Sequence, residues 1–130
     1  MKISTRGRYA LIIMINLALA YGVMSLKDIA DKEQLPIKYL EKIMALLVKA
    51  NLVKSIRGKD GGYTLAKDAS EYSIGEILRA SEGNLESRAC DTENCDKHDT
   101  CPTINFFNDL YKEINDYVDK KKLSDLIKEV

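Results

Sequence analysis

Residues 25–65 constrain the fold most, because two short amphipathic helices and a glycine-rich hairpin follow one another there without interruption. Ser25-Leu26-Lys27-Asp28 resembles a capping box, with Asp where Glu or Gln is usual, and opens a short helix that turns Leu26, Ile29 and Ala30 inward. Lys32-Glu33-Gln34 makes a polar turn, and Pro36 suits the first turn of the next helix, where its missing N–H is no loss. That helix runs to about Ala50, with Tyr39, Leu40, Ile43, Leu46 and Leu47 as its inner stripe. Two short helices joined by a tight turn form a helix-turn-helix unit, whose second helix enters the major groove by its N-terminal residues. Ile37, Lys38, Glu41 and Lys42 are the residues that face bases in such a unit. Residues 52–57 and 63–65 read as strands around Gly58-Lys59-Asp60-Gly61-Gly62, where Asp-Gly is a hairpin signal. This hairpin is the wing. A nucleotide-cradling loop is excluded, since the glycines lack a Gly-Lys-Ser/Thr ending and lead into a strand.

Charge agrees with that placement. The net charge of zero conceals a dipole: residues 1–67 hold twelve basic and five acidic side chains, a balance of +7, so residues 68–130 carry −7. Solvated faces often carry charge runs, but a basic half that coincides with a helix-turn-helix implies a polyanion partner. At 130 residues, with 45% hydrophobic and 31% charged side chains, the chain fits one soluble domain with an appended arm. The apolar run at residues 10–21, preceded by Lys2, Arg6 and Arg8, imitates a signal peptide. It is too short for a span of about 20 residues and is broken by Asn16, so a cytoplasmic protein without a membrane segment is expected. Three cysteines do not make a disulfide framework in a reducing cytosol, which leaves metal or redox chemistry as their use. No nucleophile with a paired base, cofactor fingerprint or catalytic carboxylate constellation is present, so an enzyme is not expected.

Flanking elements complete a mainly α fold: a winged helix-turn-helix domain with a two-stranded wing and a long C-terminal dimerisation helix. Ser4 or Thr5 caps a first helix bearing Tyr9, Ile12, Ile13, Leu17 and Ala20, and Gly22 ends it. Ser73-Ile74-Gly75-Glu76 is a complete capping box, opening a helix with Ile77, Leu78 and Ala80 that Gly83 stops. Residues 84–101 form a polar loop holding every cysteine, too long for a plain connection in a small domain. From Pro102 a long helix carries Phe107, Leu110, Ile114 and Tyr117 at alternating spacings of three and four, with Lys121 in phase. Phe106, Tyr111 and Val118 add a second apolar edge, more than one small domain covers, and a homodimer is expected. The layout is thus a DNA-binding domain at 1–83, a cysteine loop at 84–101, a dimerisation helix at 102–122 and a C-terminal segment at 123–130.

A twofold dimer presents two recognition helices to successive turns of double-stranded DNA, so the operator should be partly palindromic. Lys38 and Lys42 suit phosphate or guanine, Glu41 suits a cytosine amino group, and Arg57 and Lys59 on the wing reach toward a minor groove. For Glu41 the competing role is an ion pair with Lys38 or Lys42 on the same helix.

Met1-Lys2-Ile3-Ser4-Thr5-Arg6-Gly7-Arg8-Tyr9-Ala10, then Tyr39-Leu40-Glu41, then Leu52-Val53-Lys54-Ser55-Ile56-Arg57-Gly58 followed by Gly61-Gly62-Tyr63, together resemble the signature stretches of the IscR-type regulators. That family includes iron-sulfur, nitric oxide and cysteine-metabolism repressors, and the resemblance covers almost the whole chain. It implies that Glu41 tunes base selection, that Arg57 belongs to a DNA-contacting wing and that the helix from Pro102 crosses its twin. Lys2, Ser4, Arg6 and Tyr39, within the signature stretches, join the DNA-contacting set. Cys90, Cys95 and Cys101, spaced C-x4-C-x5-C, are similar to the loop that holds an iron-sulfur cluster in the IscR branch, and the cluster-free metabolic repressors lack this triplet. In the cluster-binding branch a fourth ligand is often a His three residues after the last cysteine, where this chain has Ile104. His98, its only histidine, lies within the triplet as an alternative ligand, beside an acidic or partner-chain group. The resemblance favours a 2Fe-2S over a 4Fe-4S cluster. It implies a repressor of cluster biogenesis or related stress genes. Zinc at the same Cys and His side chains, or thiols that sense oxidation, would instead suit a cluster-free repressor of sulfur metabolism acting through a protein partner.

Overall fold

The computed structural model describes residues 3–82 and 101–128. Helices α1 (Thr5–Ala20), α2 (Leu26–Glu33) and α3 (Ile37–Lys49) lead into an antiparallel hairpin of β1 (Val53–Ile56) and β2 (Gly62–Leu65). A single 3-10 turn (Ala69–Glu71), α4 (Ile74–Glu82), α5 (Ile104–Lys120) and α6 (Leu123–Ile127) follow. The helix-turn-helix and its wing therefore fold where the sequence placed them.

Local chemistry explains most boundaries. Ser25 Oγ accepts from Asp28 N at 3.1 Å, which starts α2. At α4 both halves of the capping box form: Glu76 N donates to Ser73 Oγ at 3.1 Å, and Ser73 N donates to Glu76 Oε2 at 3.0 Å. Pro36 stands one residue earlier than expected, as the N-cap of α3. Gly22 does not end α1; Tyr21 does, in the left-handed region at φ 51°. The wing also turns differently from an Asp-Gly hairpin. Residues 57–61 form its tip, Gly61 N bonds Gly58 O at 3.1 Å, and the left-handed φ falls at Gly58 (116°), which puts Lys59 and Asp60 at the outer corner.

One main core unites α1, α2, α3, β1, α4 and α6. Ile13, Met14, Leu17, Ile29, Leu40, Ile43, Met44, Leu47 and Ile77 are buried to within 2% of completely. Met44 belongs to that core, while Tyr39 and Leu46, expected on the inner stripe, are only half-buried. Asn16 is buried too, its amide donating to Ile12 O at 2.8 Å and to Glu33 Oε1 at 2.9 Å, so the polar break in α1 fastens that helix to α2. Tyr72 and Leu123, each fully buried, hold the base of the wing and the last helix in the same core. The Tyr72 hydroxyl donates to Leu52 O at 2.6 Å and accepts from Ala66 N and Lys67 N at 2.9 and 3.1 Å.

Residues beyond α5 return to the domain. Leu123 N bonds Tyr72 O at 3.0 Å and Ile74 N bonds Lys121 O at 2.8 Å, so the C-terminal end of α5 is tied to the domain. Arg79 on α4 grips α5 through Asp119 Oδ1 and Asn115 Oδ1, each at 2.6 Å. A Cβ at Gly75 would collide with Asp119, which explains the glycine in that capping box.

Candidate nucleic-acid interface

The polar turn between α2 and α3 closes because Gln34 adopts the left-handed conformation at φ 56° and its N–H returns to Ala30 O. This geometry directs the start of α3 outward. Ile37, Lys38, Glu41 and Lys42 are all exposed, and Ala45 and Lys49 extend the same face. Neither lysine pairs with Glu41. The competing structural role for Glu41 is therefore not taken up, and its carboxylate stays available beside two cations. Tyr39 is turned aside: its ring meets Tyr9 edge-on at 5.5 Å, joining α3 to α1.

The wing presents the second set. Along β1 only Val53 is buried, so Lys54, Ser55 and Ile56 are exposed, followed by exposed Arg57, Gly58, Lys59 and Asp60. Its register pairs Val53 with Leu65 and Ile56 with Gly62. Within β2, Tyr63 exchanges two backbone bonds with Met24, at 2.9 and 3.0 Å, which anchors the wing to the residue before Ser25. Gly62 makes that approach possible, since a Cβ there would lie 2.6 Å from Met24 O. Arg57 and Lys59 are thus carried by a hairpin tied to the helix-turn-helix on one side and to Tyr72 at its base.

The N-terminal basic residues are placed by a group that the sequence analysis did not single out. Glu82, the last residue of α4, accepts from Ser4 N at 2.9 Å, from Gly7 N at 2.8 Å and from Ser4 Oγ, all at one carboxylate oxygen. Ser4 therefore makes no cap of its own on α1, and exposed Arg6 follows in the first turn. No local pattern connects residues 4 and 82; only the packing of α1 against α4 does. Lys2 lies outside the described residues.

Of the cysteine set, Cys101 is half-buried immediately before α5, with its sulfur 3.1 Å from Thr103 Oγ1 and its carbonyl accepting from Ile104 N at 3.4 Å. Cys90, Cys95 and His98 lie outside the described residues. Among the described residues no cluster of metal-ligating side chains forms, and no helix is long and apolar enough to cross a membrane.

On α5 the two apolar edges have different fates. Val118 packs on Ile74 and Leu78, so part of the edge expected to be surplus docks the helix on its own domain, and Tyr111 on that edge is buried. Phe107 and Leu110 (each 37% exposed), Tyr117 (62%) and Phe106 (63%) are left uncovered along the other side.

Residues 3–129 match the Rrf2 family, described as iron-dependent transcriptional regulators. The chain belongs to the Rrf2 family. It is 34% identical over 130 residues to the HTH-type transcriptional regulator IscR of Serratia proteamaculans, an alignment covering 98% of this chain and 79% of that protein. Among solved structures it resembles CymR, the global cysteine regulator of B. subtilis, with 37% identity, a TM-score of 0.79 and coverage of 100% and 98% of the two chains. It equally resembles T. potens IscR, with 36% identity, a TM-score of 0.80 and coverage of 99% and 88%. As an Rrf2 regulator it is a DNA-binding transcription factor, and its winged helix fold is that of these neighbours.

Proposed function

We propose that this Rrf2 regulator acts in the cytoplasm as a homodimeric repressor of iron-sulfur biogenesis or related stress genes, with DNA binding modulated by a cluster at Cys90, Cys95 and Cys101. The observation that carries the DNA half is that Lys38, Glu41 and Lys42, exposed on the outward start of α3, form no ion pair among the described residues, with Arg57 and Lys59 on a braced wing. Lysine and arginine supply phosphate attraction, and Glu41 supplies selection by accepting from a cytosine amino group. Two copies joined through α5 address a partly palindromic operator.

The cluster half is supported by donor chemistry. Thiolates are the ligands that iron-sulfur clusters take, and Cys101 is only half-buried in the turn that leads into α5. Cys90, Cys95 and Cys101 would hold the cluster, with His98 as the proposed fourth ligand and 2Fe-2S as the proposed type. When bound, the cluster supplies a redox-sensitive and nitric oxide-sensitive group. Occupancy of the cysteine site and affinity for DNA are then linked equilibria, each shifting the other.

The decisive measurement is an absorption spectrum of anaerobically purified protein with iron and sulfide assays, repeated for each Cys→Ala variant and for His98→Ala. Expected are visible absorption with iron and sulfide in the wild type, and loss of both in the three cysteine variants. A colourless, iron-free wild type would overturn the cluster half. A second reading is favoured by the likeness to CymR, a global cysteine regulator. On it the protein is a cluster-free repressor of sulfur metabolism that works with a protein partner, and its cysteines hold zinc or sense oxidation. Zinc in the metal analysis, or reversible thiol oxidation without metal, selects that reading.

A further inference from the structure

The start of α1 breaks the usual helix rules. It has no acidic residue in its first turn, its N-cap Ser4 makes no side-chain cap bond, and exposed Arg6 and Arg8 bring positive charge to the positive end of the helix dipole. Local rules broken together mark a segment kept for function. The compensation arrives from distant sequence. Glu82 accepts both backbone donors, Ser4 N and Gly7 N, together with the Ser4 hydroxyl, and so replaces an absent cap with a full negative charge. Gly7 is fitted to this contact: it is buried, and a Cβ there would lie 2.6 Å from Glu82 Oε1. Glu82 makes no ion pair with Arg6 or Arg8, so both guanidinium groups stay outside the clamp. Arg8 also lines an open groove of about 440 Å³ with Ile3, Ser4 and Thr5, roomy enough for a backbone phosphate.

We infer that Glu82 is a positioning residue for DNA binding, holding the basic first turn of α1 so that Arg6 and Arg8 meet the phosphate backbone. This rests on the DNA contacts proposed above. It also gives Ser4 a different part from direct contact: its amide and hydroxyl are spent on Glu82, and the cations beside it carry the attraction.

A double-mutant cycle tests the inference, using a duplex selected by the wild-type protein from a randomised pool. Glu82→Ala should weaken binding about tenfold in the wild-type background and by less than about twofold in an Arg6→Ala/Arg8→Ala background, because its effect passes through those arginines. Glu82→Gln, which keeps an acceptor oxygen, should retain most of the affinity and provides the test if the alanine variant does not fold by circular dichroism. The same loss in both backgrounds would mean a general structural role and overturn the inference. So would unchanged affinity of a folded Glu82→Ala protein, or an Arg6→Ala/Arg8→Ala protein that binds as tightly as wild type while Lys38→Ala and Arg57→Ala bind weakly. If wild type selects no duplex, the DNA contacts themselves fail, and the inference with them.

Discussion

Single side chains decide whether the reading head keeps its shape. Tyr72 is the clearest case, since one buried hydroxyl serves Leu52 O, Ala66 N and Lys67 N where the hairpin meets the domain. Removing that oxygen leaves backbone groups at the hairpin base without their partner. Tyr72→Phe should therefore cost about 1–3 kcal/mol of stability, with the ring still filling its site. A chemical denaturation midpoint indistinguishable from wild type would show that water replaces the hydroxyl. Tyr72 was not among the core residues expected from sequence, because it falls in a short linker with no periodicity, and its three partners are 5 to 20 residues away. Capping residues were easier to find. Ser25 and Ser73 bond a few positions ahead, within the range that a motif records.

At the scale of elements, α5 is two helices in one. Its Val118 side, with Asn115 and Asp119 held by Arg79, belongs to the domain, while Phe106, Phe107, Leu110 and Tyr117 form an uncovered apolar stripe. Periodicity showed that both edges were apolar but not which was surplus, because neither α4 nor Arg79 is near α5 in sequence. An uncovered aromatic stripe of this kind suits a second copy of the helix. Phe107→Asp, which puts a charge on that stripe and leaves the Arg79 clamp untouched, should give a folded monomer in analytical ultracentrifugation. A dimer of wild-type strength would place the subunit contact elsewhere. The wing makes a related point. Asp60-Gly61 correctly signalled a hairpin, yet the left-handed residue is Gly58, and Lys59 consequently stands at the tip.

Over the whole molecule, charge and scaffold divide the work. The basic half carries α1, α3 and the wing, and the acidic half supplies Glu82, which fastens α1 to α4, Asp119, which fastens α5 to α4, and Glu76, which pairs with Lys67 just after the wing. Association with DNA should consequently fall with salt. Lys38→Ala and Arg57→Ala should each lower the salt slope by about one and weaken binding to all sequences, whereas Glu41→Ala should leave the slope unchanged and reduce discrimination at the base it reads. Fluorescence anisotropy over a salt series, with matched and substituted duplexes, measures both quantities. Unchanged slopes for both cation variants would reject the proposed contact surface.

The sequence by itself determined the helix-turn-helix with its wing, the helices that flank them and the cations that such a unit displays. Each depends on caps, periodicity or glycines acting over a few residues. Tertiary structure alone decided that Glu82 caps α1, that Tyr72 seals the wing, that Leu123 belongs to the core and that one edge of α5 is left open. Those outcomes depend on which distant backbone donors and apolar surfaces meet when the helices pack, and no spacing within the chain encodes that meeting.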